Sequence, residues 1–141
     1  MNVYLAIKYH PDARNRTFVE ELSAQLASRG HDVSCVARDI EKWGHHELAA
    51  TELMEASFRL IDASDLVLVE LSEKGVGLGI ESGYAFARGI PVMVAVRTGS
   101  DVSTTLRGIS AQVVEYAGLE EVAAAVHAFA AGRPSSARSV S

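Results

Sequence analysis

Apolar and polar positions alternate along this chain in two distinct patterns. Short continuous apolar runs, which are typical of strands covered on both faces, occur at 2–7, 32–37, 66–71, 92–96 and 112–116. Between them, apolar residues recur at helical spacing over 14–29, 47–63, 79–88 and 119–131, and a shorter helical turn follows the polar loop 98–105. Strands and helices that alternate in this way pair in parallel through right-handed crossovers.

The alternation predicts an α/β fold, namely a three-layer α/β/α sandwich with a five-stranded parallel sheet. By analogy with other open sheets of five strands, we expect the flavodoxin-like strand order 2-1-3-4-5. Ligands of such sheets bind beyond the carboxyl ends of the strands, so the loops after strands 1, 3 and 4 are expected to surround one crevice. We expect residues 1–131 to form a single domain and residues 132–141 to be a disordered polar tail.

The composition narrows the class of partner. The chain is 48% hydrophobic and 22% charged, as in ordinary globular proteins, and its net charge of -5 argues against a nucleic-acid duplex, whose binding needs a basic surface. No apolar run approaches the roughly 20 residues of a membrane helix, and no basic segment precedes the first strand, so we expect a cytoplasmic protein with no membrane partner. The single cysteine, Cys35, is predicted to be a small buried side chain.

The segment 65–85 holds the strongest candidate site. It predicts a buried strand, a turn with glycines at 75, 77 and 79, and a helix whose first turn carries Glu81. Glycines allow close approach of the backbone and expose amides at a helix start, which favours an anion. These glycines follow the third strand, and Ser82 occupies the last position of the G-x-G-x-x-G pattern, so NAD binding is not expected. The Gly-Lys-Ser/Thr of a phosphate-binding P-loop is missing as well.

Neither a metal nor an organic cofactor is predicted. The five histidines include no H-x-x-x-H pair, the usual spacing of helical zinc ligands. Strand 1 is followed by Ile7-Lys8-Tyr9 and strand 3 ends in Glu70, so the acidic cluster and the aspartate of a phospho-accepting receiver domain are missing too.

Four stretches of the chain resemble the nucleoside 2-deoxyribosyltransferase superfamily, which includes the 2'-deoxynucleoside 5'-phosphate N-hydrolases and the CMP hydrolases. They lie at 4–6, 63–70, 77–85 and 106–108, and the most specific is G-x-G-x-E-x-G-Y-A over 77–85. The resemblance implies that Glu81 is the catalytic glutamate and that Tyr4 orients it. A carboxylate can stabilise or bond to the oxocarbenium-like C1' of a sugar, as in retaining glycosidases. A position in the first turn of a helix favours the charged form of the Glu81 carboxyl group.

The resemblance also implies contacts to the phosphate and the base of a nucleotide. The candidate phosphate ligands are Lys8, Arg14 and Arg16 after strand 1, the amides around Gly77 and Gly79, and Ser103. Ser103 matches a serine that reaches the phosphate from a neighbouring subunit, which implies a homodimer with a shared active site. Trp43 lies in a stretch, 41–44, that resembles the CMP hydrolases, where it would either stack on the base or plug the sheet edge.

The chain departs from the family pattern at three places. Ser57 stands where the family has an aspartate that helps to protonate the departing base. Either another group such as Glu55 or Asp39 supplies the proton, or the leaving group differs, or the protein does not catalyse. Residues 7–12 replace the family's glycine-rich turn after strand 1, and Gly75 replaces an aspartate of the transferases or a phosphate-binding serine of the nucleotide hydrolases.

The function predicted from these features is an N-glycosidase that cleaves the base–sugar bond of a nucleoside 5'-monophosphate, with Glu81 as nucleophile and water as acceptor. One alternative is a nucleoside 2-deoxyribosyltransferase that moves deoxyribose between bases. A second is a non-catalytic nucleotide sensor that has lost the leaving-group acid, as the serine at 57 suggests. A third is an α/β domain in which the glycine turn has only a structural role.

Overall fold

The apolar runs form one parallel sheet, and the computed structural model describes it together with its helices over residues 1–133. The strands are β1 (Asn2–Ile7), β2 (Asp32–Ser34), β3 (Leu66–Glu70), β4 (Val92–Arg97) and β5 (Gln112–Tyr116). The helices are α1 (Arg16–Ala27), α2 (Val36–Asp39), α3 (Ala50–Asp62), α4 (Val76–Ala87), α5 (Thr104–Ile109) and α6 (Leu119–Ala131). The strand order is β2-β1-β3-β4-β5, which confirms the predicted sheet.

The two faces of the sheet are covered by different helices, because successive side chains of a strand point to opposite sides. Val3 and Leu5 of β1 belong to an apolar cluster that includes residues of α1 and α6. Tyr4 and Ala6 belong to the cluster on the other face, which includes residues of α3, α4 and α5. All residues of the central strand β3 are buried, as expected for a strand covered on both faces. Tyr4 therefore points towards α3 and α4.

Two of the predicted boundaries that differ from the structure lie close to the crevice. Strand 2 was expected to reach residue 37 but ends at Ser34, because the chain turns into α2, where the Asp39 carboxylate accepts a hydrogen bond from the Cys35 N–H at 2.8 Å. The helix expected to begin at Gly79 begins at Val76, with Gly75 as its N-cap. The glycine-rich run is therefore mostly helical, and Glu81 lies in the second turn of α4 rather than in the first.

The remaining expectations concern the ends of the chain and its environment. Gly132 ends α6, and the Arg133 guanidinium donates to the Asp65 carbonyl oxygen at 3.1 Å. The rest of the predicted tail, 134–141, lies outside the described residues. Among residues 1–133, no helix is long and apolar enough to cross a membrane, and no group of three or more metal-ligating side chains is assembled. A cytoplasmic location stays a prediction.

Candidate active site

The centre of the candidate site is a hydrogen bond between Tyr4 and Glu81. Tyr4 lies on β1, and Glu81 lies on α4, the helix that follows the neighbouring strand β3. The Tyr4 Oη donates to Glu81 Oε1 at 2.8 Å, although the two residues are 77 positions apart in sequence. Tyr4 is only 1% exposed, so the core holds its ring in place. The structure thus brings together the two residues that the resemblance paired.

The surroundings of the pair set its protonation. Burial raises the pKa of Glu81 from its ordinary value of 4.5 to about 7, and the hydrogen bond from Tyr4 opposes that shift. Burial raises the pKa of Tyr4, and the negative charge of Glu81 raises it further. The phenol therefore stays protonated and acts only as a donor. The carboxyl group of Glu81 therefore changes its protonation state near neutral pH.

Glu81 faces a crevice of about 570 Å³. The crevice lies at the carboxyl ends of β1 and β2 and beside the N-terminus of α4, where the rule for open parallel sheets places a ligand. Its lining includes Tyr4, Lys8, Glu41, Glu47, Ser57, Val76, Gly77 and Glu81. Open space beside Glu81 argues against a purely structural role for the glycine-rich segment.

One end of the crevice is suited to an anion. The N-terminal residues Val76 and Gly77 of α4 line it, and the first amides of a helix have no partner within the helix. The Lys8 side chain runs past Gly75, where a Cβ atom would lie 3.9 Å from its Cδ, and its Nζ donates to the Lys74 carbonyl oxygen at 2.9 Å. Gly79 lies further along the helix and does not line the crevice.

The two arginines predicted as phosphate ligands lie elsewhere. Arg14 pairs with Asp12 at 3.0 Å, and Arg16 pairs with Glu20 at 2.9 Å. The Arg16 guanidinium also lies over the Trp43 ring, 5.3 Å from its centre. Neither arginine lines the crevice, whereas Lys8 does, so of the three predicted cations only Lys8 borders the crevice near the N-terminus of α4.

Trp43 and Ser103 also lie outside the lining of the crevice. Trp43 packs against the core cluster beneath α1 and borders a small neighbouring cleft. This position favours the predicted role of filling the edge of the sheet over the alternative of stacking on a base. Ser103 precedes α5, and its hydroxyl hydrogen-bonds that of Thr105 at 2.9 Å. The role of Ser103 in a partner's site stays a prediction.

Ser57 occupies the wall of the crevice next to the Tyr4–Glu81 pair. It is 2% exposed, and its hydroxyl donates to the Leu53 carbonyl oxygen at 2.9 Å. Ser57 lowers the pKa of the Tyr4 phenol, against the larger opposite effect of burial. The structure therefore places this serine beside the Tyr4–Glu81 pair, where the family pattern has an acid.

Glu41 is a crevice residue that the sequence did not single out. It lies half-buried between the crevice and the small cleft that Trp43 borders. The next two residues, Lys42 and Trp43, have φ angles of 50° and 56°, and Gly44 follows with φ of 91°. Two consecutive non-glycine residues in the left-handed region cost about 1–2 kcal/mol each. Such strain is concentrated at functional sites.

Comparisons with known proteins identify the family. The family described as nucleoside 2-deoxyribosyltransferase matches residues 3–124. A protein of Thermofilum pendens, provisionally named 2'-deoxynucleoside 5'-phosphate N-hydrolase 1, is 30% identical over 131 residues, which cover 86% of this chain and 89% of that protein.

Solved structures agree on the fold. A CMP N-glycosidase of Clostridium botulinum superposes with a TM-score of 0.68 at 18% identity, covering 92% of this chain and 99% of the other. A 2-deoxyribosyltransferase of Bacillus psychrosaccharolyticus gives a TM-score of 0.70 at 17% identity, covering 87% and 90%. Because the family match spans most of the sequence, the chain belongs to the nucleoside 2-deoxyribosyltransferase family.

Proposed function

We propose that this protein is an N-glycosidase that cleaves the base–sugar bond of a nucleoside 5'-monophosphate and passes the sugar to water. The observation that carries the proposal is the Tyr4-bonded carboxylate of Glu81, which faces an open crevice with an anion-binding end. A single carboxylate held by one donor keeps its second oxygen free for a sugar carbon.

The chemistry follows that of retaining glycosidases. Glu81 Oε2 bonds to C1' as the C1'–N bond breaks, and the electron pair of that bond leaves with the base. Tyr4 holds Oε1 and keeps the carboxylate in one orientation. Water then attacks C1', which releases the sugar phosphate and restores the Glu81 carboxylate.

The preference for a monophosphate rests on the end of the crevice that Lys8 and the first amides of α4 border. A phosphate there would meet the positive end of the helix and one ammonium group. The name of the Thermofilum pendens relative includes a nucleoside 5'-phosphate, which supports the same substrate class.

A panel of nucleoside 5'-monophosphates and the matching nucleosides tests the proposal by chromatographic detection of free base. Release of base from at least one monophosphate is expected. A transferase would instead form a new nucleoside when a second free base is added. A nucleotide sensor would show ligand-dependent thermal stabilisation without base release. Absence of base release from every member of the panel would refute the proposed activity.

Lys8→Met is expected to lower kcat/KM for the monophosphate substrate by roughly 10–100-fold, because a charge-assisted hydrogen bond is worth about 1.5–3 kcal/mol. The value for the matching nucleoside, which has no phosphate, should change little. Steady-state kinetics on the two substrates measure the difference. Arg14→Met, which removes the guanidinium that pairs with Asp12, is the comparison variant, because Arg14 was also predicted to contact the phosphate. A larger phosphate-specific loss in Arg14→Met than in Lys8→Met would contradict this assignment.

We also propose a homodimer that uses the outer face of α4. Val76, Ile80 and Phe86 are 82%, 47% and 57% exposed, and the exposed glycines 79 and 83 lie on the same face. Glycines four positions apart allow another helix to approach closely. Val76 also borders the crevice, so a second copy seated on this face would lie at its mouth.

The dimer proposal predicts that Ile80→Lys shifts the protein towards the monomer, because a charge would be buried in an apolar contact. Light scattering coupled to size-exclusion chromatography measures the mass, and Ala124→Lys, at an exposed position of α6, is the control. A monomeric wild-type protein at tens of micromolar would contradict the proposal. If the dimer forms, Ser103→Ala should raise KM for the monophosphate, as expected for a phosphate contact made across the interface.

A further inference from the structure

We propose that Glu41 is the acid that protonates the departing base. The inference rests on the proposed N-glycosidase function and deepens it by naming a second catalytic carboxyl group. It is carried by the position of Glu41, whose half-buried carboxyl group lines the same crevice as Glu81.

Cleavage of an N-glycosidic bond needs a proton for the base, because the base takes the electron pair of the C1'–N bond. Ser57 does not meet this need. An aliphatic hydroxyl is not an acid near neutral pH, and the Ser57 hydroxyl already donates to the Leu53 carbonyl oxygen. The donor must therefore be another side chain that borders the crevice.

The two acids considered for this role from the sequence do not fit. Glu55 is exposed on α3 and does not line the crevice. Asp39 accepts hydrogen bonds from the Cys35 N–H and from the Arg38 guanidinium. These partners lower the pKa of Asp39 against the opposing effect of burial, so it is ionised at neutral pH and is a poor proton donor.

Unlike Asp39, Glu41 lies in surroundings that favour the protonated form of its carboxyl group. Within residues 1–133, its carboxyl group makes no hydrogen bond or ion pair, so both oxygens are available to a ligand. Burial raises its pKa, which favours the protonated form needed by an acid. The remaining carboxyl group that lines the crevice, Glu47, is exposed to solvent.

The backbone holds Glu41 in a defined position. Its N–H donates to the Val36 carbonyl oxygen at 2.9 Å, and its own carbonyl oxygen accepts from the N–H groups of Gly44 and His46 at 3.0 Å each. The left-handed residues Lys42 and Trp43 close this turn. Strain of this kind persists only where the surrounding structure over-determines it.

In the first step, the proton of the Glu41 carboxyl group moves to a ring nitrogen or oxygen of the base while the C1'–N bond breaks and Glu81 bonds to C1'. The neutral base leaves, and Glu41 is then a carboxylate. In the second step Glu41 takes a proton from the attacking water, and Glu81 departs from C1'. The net reaction consumes one water and regenerates both carboxyl groups.

The test compares two leaving groups. One substrate is the monophosphate with the highest turnover in the panel above, whose base needs protonation. The other is 4-nitrophenyl ribofuranoside 5-phosphate, whose 4-nitrophenolate leaves as a stable anion. Glu41→Gln is expected to lower kcat/KM on the nucleotide by about 10²–10⁴-fold, the usual contribution of a general acid, and to change kcat/KM on the nitrophenyl substrate by less than about 3-fold, because kcat/KM reports only the step in which the leaving group departs.

Three further variants make the outcome decisive. Glu81→Gln should lose activity on both substrates, since it removes the nucleophile. Glu55→Gln, which changes an exposed glutamate outside the crevice, should lose neither. The proposal is overturned if Glu41→Gln lowers kcat/KM equally for both substrates, if it lowers neither, or if Glu47→Gln shows the selective loss of kcat/KM instead. Turnover of neither substrate by the wild-type protein overturns the proposed function and this inference together, whereas the other outcomes reject Glu41 alone.

Discussion

Replacing Glu81 with glutamine is expected to reduce base release by about 10⁴-fold while the nucleotide still binds. Removal of a nucleophile in other enzymes has effects of this size, and the residual rate comes from binding and positioning. The amide keeps the size of the side chain, and its oxygen can still accept the Tyr4 hydrogen bond. Base release and nucleotide-dependent thermal stabilisation, measured on the same preparation, separate loss of chemistry from loss of binding.

The same variant should be more stable than the wild-type protein at alkaline pH. Because burial raises the folded-state pKa of Glu81 above its unfolded value, the folded protein holds a proton between pH 4.5 and about 7 that the unfolded chain has lost. Wild-type stability therefore falls as pH rises through this window, with an upper limit of about 3 kcal/mol at about 1.4 kcal/mol per pH unit. Glutamine does not ionise, so the stability of Glu81→Gln does not fall for this reason.

Urea unfolding of both proteins at pH 5 and pH 8 measures this difference. The gap in unfolding free energy between Glu81→Gln and wild type should grow in favour of the variant from pH 5 to pH 8. Glu55→Gln, which changes an exposed glutamate of α3 outside the crevice, is the control for a general effect of removing one negative charge. An equal pH response in wild type and Glu81→Gln would contradict the buried, destabilising carboxylate. A drop in activity below about 10-fold would contradict its role as nucleophile.

The regular parts of the fold could be predicted because short apolar runs that alternate with amphipathic helical segments are typical of buried parallel strands. The bounds of β1 and β5 agree with the predicted runs, and the strand order agrees with that of other five-stranded open sheets. The start of α4 could not be predicted, since glycine disfavours a helix interior by about 1 kcal/mol relative to alanine. Tertiary packing outweighs that preference here, because Leu78 and Ser82 of α4 are buried against the sheet.

The candidate site was predictable only where a motif marked it. The G-x-G-x-E-x-G-Y-A string pointed to Glu81, and the resemblance supplied Tyr4 as its partner. Glu41 begins the stretch 41–44 that resembles the CMP hydrolases, but the resemblance drew attention to Trp43 and gave Glu41 no role. Its place in the crevice depends on a turn that puts Lys42 and Trp43 in the left-handed region, and only Gly44 among these residues favours that conformation by its chemistry. Arg14 and Arg16 were predicted as phosphate ligands, but they pair with carboxylates one turn away or closer and do not line the crevice, which the sequence alone did not indicate.

The hydrogen bond from Tyr4 should be visible in the pH dependence of the reaction. A nucleophilic carboxyl group must be ionised, so kcat/KM on the nitrophenyl substrate, whose leaving group needs no acid, is expected to rise with pH and to reach half its plateau near pH 7, the pKa of Glu81 in the free enzyme. Tyr4→Phe removes the donor that lowers this pKa. The midpoint should therefore move to higher pH, and the plateau should fall by roughly 10–100-fold because the carboxylate loses its orientation.

Tyr116 provides a matched control for that variant. Its Oη donates to Glu70 Oε2 at 2.8 Å, so it forms a second buried tyrosine–carboxylate pair, outside the crevice. Tyr116→Phe should cost a similar 1–2 kcal/mol of stability for one lost buried hydrogen bond but leave the midpoint of the pH profile unchanged. The second ionisation of the substrate phosphate, near pH 6, affects all three proteins alike and cancels in the ratio of their profiles. A midpoint that moves equally in both variants, or in neither, would show that the Tyr4 hydrogen bond does not control the ionisation of Glu81, and the carboxylate that reacts would then have to be sought elsewhere in the crevice.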